Sequence, residues 1–151
     1  MTTFTQLRDI LDRLKTVHER AAECCAQAKH SDDERLNLLV EYFHRWERRL
    51  EDWLDSLERE RRKTFLDTWV QFAPIEDVDH ALATLCEAQE KDTETVANAC
   101  FDLRQEVLKL IGLMADRLKG PDVREHLLKL AEIERKAARE LAIADVMRRD
   151  A

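Results

Sequence analysis

The segment EYFHRWERRLEDW, Glu41 to Trp53, spaces Glu41, His44 and Glu47 three residues apart. On a helix, that spacing puts the imidazole next to each of the two carboxylates in turn, with Glu41 and His44 just off the stripe that contains Glu47. Carboxylate oxygen and imidazole nitrogen together suit iron or manganese, and helical bundles hold pairs of these ions in this way. The same residues are equally at home on a charged amphipathic helix, where arginines neutralise the acids. Which chemistry applies depends on what the other helices bring to the same level.

The elements that would position these groups follow from hydrophobic periodicity. Thr3 and Gln6 are spaced as a capping box, so helix A is expected from Thr3 to about His30. Ser31 and Glu34 form a second box and open helix B, which runs to about Lys63. The short connection predicts an antiparallel hairpin. TFLDTWVQFAP, within Thr64 to Ile75, is the irregular stretch and stops at Pro74. Periodicity resumes near Asp77 and continues to Lys119 as helix C, with a break or kink allowed at EKDTETV, where Asp92 or Thr93 could cap a fresh helix. Gly120-Pro121-Asp122 is a stop and then a start, and helix D runs to about Arg149. The expectation is an all-α single domain over 1–151, an up-down-up-down four-helix bundle with an aromatic-rich crossing segment between B and C.

Steps of three and four along each helix trace its buried stripe. Helix A gives Leu7, Leu11, Leu14, His18, Ala21, Cys25 and Ala28; helix B gives Leu36, Val40, Phe43, Glu47, Leu50, Leu54 and Leu57. Helix C gives Val96, Ala99, Leu103, Glu106, Leu110 and Leu113, with Val107 as the alternative to Glu106. Helix D gives Val123, Leu127, Leu130, Glu134, Ala137, Leu141 and Ala144. A polar residue interrupts each stripe near its middle. Counting outward from each turn sets His18 opposite Phe43 and beside His44, and Glu134 opposite Val107 and beside Glu106. Packing A against D would add Arg135 beside His18. His18, His44, Glu47, Glu106 and Glu134 then share a central layer. Unpaired charges in an apolar core are costly, so the layer calls for either a metal or arginine partners such as Arg45, Arg48 and Arg135.

Four helices of this length and order, with Glu41-x-x-His44 on the second, resemble the ferritin-like superfamily, which includes bacterioferritins and rubrerythrins. As architecture the resemblance covers nearly the whole chain. It implies a di-iron or di-manganese centre fed by one Glu each from helices A and C and by a Glu-x-x-His from B and D. Carried over, it points to Glu19 or Glu23, to Glu41 and His44, and to Glu106. Helix D departs from the pattern, because Arg135 follows Glu132 and Ala137 follows Glu134 where the histidine would stand. The expected function is therefore a non-enzymatic, ferritin-like interaction or scaffold module with an incomplete metal site. The alternative is a di-metal carboxylate protein handling iron, oxygen or peroxide, with Glu19, Glu41, His44, Glu47, Glu106 and Glu134 as ligands.

Composition narrows the remaining classes. A net charge of −7 argues against general affinity for nucleic-acid phosphates, and the basic run from His44 to Lys63 is interleaved with acids. No apolar run approaches the ~18–20 residues of a membrane span, and no signal-peptide core is visible, so a soluble cytoplasmic chain is expected. Cys24, Cys25, Cys86 and Cys100 form no CxxC and read as small buried thiols. His30 and His126, near helix ends, are expected to be solvent-facing or end-of-helix groups. Seven of the nine aromatic residues lie between Tyr42 and Phe72. Trp46 and Trp53 form a second ridge on helix B that needs cover, either from Phe65, Trp69 and Phe72 or from another subunit. That ridge, with Trp69, is the candidate surface for a homodimer or another protein partner.

Overall fold

The computed structural model describes residues 4–59, 69–71, 75–118 and 121–150. Thr3, Lys63, Phe65, Phe72, Pro74, Lys119 and Gly120, to which parts of the sequence reading refer, lie outside them. Five helices make up nearly all of the described chain: α1 (Leu7–Ala26), α2 (Glu34–Arg59), α3 (Ile75–Glu87), α4 (Thr93–Arg117) and α5 (Pro121–Asp150). A 3-10 turn, Ala88–Glu90, joins α3 to α4. Two short strands, β1 (Phe4–Gln6) and β2 (Trp69–Gln71), pair antiparallel with Thr5 opposite Val70. None of the helices is long and apolar enough to cross a membrane among the described residues.

Two differences from the sequence reading have clear local causes. At the N-terminus, Gln6 keeps an extended backbone and no side chain caps α1, because residues 4–6 pair with β2 instead. The expected helix C is two helices. The turn at Ala88–Glu90 closes α3, and Asp92 Oδ1 then accepts the Thr95 amide at 2.8 Å to open α4. The break is a fold-back, and α3 packs along α4. Further back, Asp33 rather than Ser31 starts α2, its Oδ1 accepting the Arg35 amide at 2.9 Å.

The helices close into a ring: α1 packs on α2, α2 on α5, α5 on α4, α4 on α3, and α3 back on α1. The first helix therefore has α3 as its second neighbour, where the sequence reading paired it with the last. Val78 and Leu85 of α3 are fully buried, and Arg13 of α1 pairs with Asp79 of α3 at 2.7 Å. The α1 stripe from Leu7 to Ala28 is buried throughout, His18 included. On α4, Val107 takes the core position and Glu106 turns to the flank. One end of the ring is clasped: Cys24 and Cys86 form a disulfide, the Lys29 amide donates to Gln89 O at 2.7 Å, and Thr93 Oγ1 donates to Asp33 Oδ2 at 3.2 Å. These bonds tie the α1–α2 turn to the α3–α4 turn.

Candidate functional site

The structure divides the expected polar layer among separate places. Glu47 lies on the α1–α2 flank near Glu19; burial first and the Glu19 carboxyl second raise its pKa. His44 Nδ1 stands 3.8 Å from Glu47, and Lys15 pairs with Glu51 at 3.1 Å on the same flank. Glu41 is exposed and lies 3.7 Å from Arg45. Glu106 lines a shallow polar cleft with Asp77, His80 and Asp102, between α3 and α4. Of the acids in that layer, Glu134 alone is in the core, and His18 is buried with it. Among the described residues no group of three or more His, Cys, Asp or Glu side chains is arranged to hold a metal ion. Of the six expected ligands, Glu19, His44 and Glu47 share the α1–α2 flank, while Glu106 and Glu134 lie apart from them.

Arginine and tyrosine answer the Glu134 charge. Its side chain is 0% exposed, and Oε1 accepts from both the Tyr42 hydroxyl and Arg104 Nε, the latter at 2.9 Å. Burial, and then the Glu134 carboxylate, hold the Tyr42 phenol far above its usual range, so Tyr42 is a permanent donor. Oε2 of Glu134 has no hydrogen-bond partner among the described residues. Next to this network, α1 meets α2 through rings. His18 stacks on Trp46 with centroids 3.5 Å apart and meets the edge of Phe43, the residue expected opposite it. Its Nδ1 lies 2.7 Å from Leu14 O; a carbonyl only accepts, so Nδ1 carries the proton. Burial lowers the His18 pKa to about 4, which keeps the ring neutral.

An open groove of about 570 Å³ lies where α2, α4 and α5 meet. Leu38, Leu39, Phe101, Ala138, Leu141 and Ala142 give it apolar walls. Phe101 is 39% exposed there, an aromatic face left uncovered. Arg35, Arg104, Arg135 and Arg139 also line it, with Asp145 as the acid. Arg104 thus belongs to both places, bonded inward to Glu134 and bordering the groove. Beyond the groove α2 and α5 are pinned by Arg49 Nη2, which reaches both Glu140 oxygens at 2.8 and 2.9 Å.

Sequence reasoning missed this groove. Arg135 and Arg139 stand four apart on the last helix, and the expected C–D hairpin already sets Phe101 and Arg104 near their level; that α2, α4 and α5 leave a groove open between them was not visible. The expected aromatic surface is reduced in turn. Trp46 is fully buried beneath His18, Trp53 packs against the core, and Trp69 is 59% exposed beside the buried Val70. His126, expected as a solvent-facing or end-of-helix group, is buried near the start of α5.

The cysteines divide into two pairs at the clasped end. Cys24 is bonded to Cys86, with Cα atoms 5.3 Å apart, so these two are not the free thiols expected. Cys25 and Cys100 are free, buried, and 3.5 Å apart at sulfur. The Cys25 contact first and burial second push the Cys100 thiol well up, leaving it protonated and unreactive. Comparison with protein-family models, with curated proteins and with solved structures finds no match to this chain.

Proposed function

We propose that this chain is a non-enzymatic binding module, a helical scaffold that presents the groove between α2, α4 and α5 to a ligand. The groove carries the reading. Its volume lies within the ~300–1,000 Å³ of small-molecule sites, and its apolar walls with a few convergent polar groups match their usual chemistry. A ferritin-like relationship enters this proposal only as an order of helices, since the acids and imidazoles that such a centre would use are dispersed.

Nile red, a neutral apolar dye, tests the reading. It is expected to bind saturably at one site per chain. Ala142→Trp places an indole on an exposed groove position and should weaken binding by about tenfold or more. Absence of saturable binding, or binding unchanged by Ala142→Trp in a folded variant, overturns it. The cytoplasmic location expected from the lack of a membrane span and a signal-peptide core is opposed by the Cys24–Cys86 bond, because disulfides persist chiefly in oxidising compartments. Counting free thiols in protein isolated under alkylating conditions separates the two: four for the reduced chain, two for the bonded one.

A further inference from the structure

The groove has a sign as well as a shape. The whole chain carries −7, yet among the described residues the groove is lined by Arg35, Arg104, Arg135 and Arg139 with Asp145 as the acid in its lining, Arg104 being paired behind the wall with Glu134. A cleft of one sign with low-dielectric walls concentrates ions of the other. Guanidinium also binds carboxylate and phosphate through paired N–H donors, which adds geometry to charge. Arg104 is held through Nε by the buried Glu134 carboxylate, so a cation bordering the groove is ordered before any ligand arrives. That lowers the ordering cost of binding. Arg135 also pairs with Glu132 at 2.7 Å, but both are more than half exposed and such pairs are weak.

Apolar walls beside a cluster of cations ask for both features in a single ligand. The geometry points to a free amphiphile with one anionic head group, a medium- or long-chain carboxylate being the simplest member. Its tail lies along Leu38, Leu39, Phe101 and Leu141, and its head meets the arginines. This rests on the groove being the binding surface, and it adds the class of ligand. A partner helix is a poorer occupant, because a cylinder ~10–12 Å across running along the surface needs a longer trough than about 570 Å³ provides.

Displacement of Nile red by ligands of one tail length and different heads tests the inference. Decanoate, decanol and decyltrimethylammonium are compared below their aggregation concentrations on the wild type and on Arg135→Gln/Arg139→Gln, whose changed positions are both exposed. Decanoate is expected to displace the dye at about a tenfold lower concentration than either of the others, the worth of a charge-assisted hydrogen bond. The double variant should lose that preference while binding decanol as before. Equal displacement by decanol and decanoate overturns the anionic class and leaves the binding function standing. Failure of Nile red itself to bind removes both. Cosedimentation with phosphatidylglycerol vesicles, together with no displacement by free decanoate, would assign the groove to a membrane surface and overturn the free-ligand inference.

Discussion

His18 shows how a single side chain can have its chemistry settled by packing. In sequence it interrupts the apolar stripe of the first helix and offers a nitrogen to a metal. In the structure it lies flat on Trp46 with its Nδ1 proton given to Leu14 O. Its pKa falls from 6.5 to about 4, so between those values the unfolded chain takes up a proton that the folded chain refuses. The stability it supports is complete above pH about 6.5 and is lost as pH falls toward about 4, by up to roughly 3 kcal/mol. Other acids titrate in part of that window, so the measure is a difference. Urea midpoints of the wild type and His18→Gln at pH 7 and pH 4.5 should show the larger acid-side loss in the wild type; equal losses refute the assignment. Glu134 makes a companion case. Arg104→Ala leaves a buried carboxylate without its cation and should cost about 3–5 kcal/mol. Tyr42→Phe removes one donor and should cost about 1–3 kcal/mol. If Arg104→Ala costs less than Tyr42→Phe, the charge on Glu134 is not what the arginine stabilises.

At the scale of elements, the stripes were legible because a buried helix face must repeat every three to four residues. Every α1 stripe residue from Leu7 to Ala28 is buried, and the level of His18 against Phe43 followed from counting along two helices. The partner of each stripe was not legible. Asp92 was visible as a cap, but a cap opens either a kinked continuation or a fold-back, and the packing of α3 on α4 and α1, with Val78 and Leu85 buried, is what the structure shows. On α4 the core position went to Val107, the alternative already weighed, which leaves Glu106 on the flank and apart from Glu134. The aromatic residues were misassigned for a related reason. Trp46 was read as a second ridge because its cover, His18, stood in another stripe. Trp46→Ala should therefore cost about 3–5 kcal/mol, as large buried truncations do, whereas Trp69→Ala, at an exposed strand position, should cost less than about 1 kcal/mol. Urea unfolding of the two variants checks the contrast. Light scattering on Trp69→Ala reads the homodimer expectation as well, since an unchanged mass removes Trp69 from any contact between copies.

For the whole molecule, the question is whether five helices in a ring unfold together. Each helix has two neighbours around the ring, and α4 also touches α2 and α1, so no helix pair can leave without exposing its neighbours. The Cys24–Cys86 bond closes a separation of 62 residues and joins the first hairpin to the second. A cross-link of that span stabilises by roughly 4 kcal/mol on the chain-entropy account. Cys24→Ser/Cys86→Ser should accordingly lower the unfolding free energy by about that amount while keeping a single transition. The free pair, Cys25 and Cys100, is a built-in reporter of the same event, because both thiols are buried and 3.5 Å apart. In the native protein they should resist alkylation and become reactive only with global unfolding. Far-UV circular dichroism, tryptophan fluorescence and thiol labelling should then share one urea midpoint in the wild type and one lower midpoint in the double variant. Labelling of Cys25 or Cys100 well before the loss of helix would show that the clasped end opens alone, and that the ring is held as two hairpins rather than as one unit.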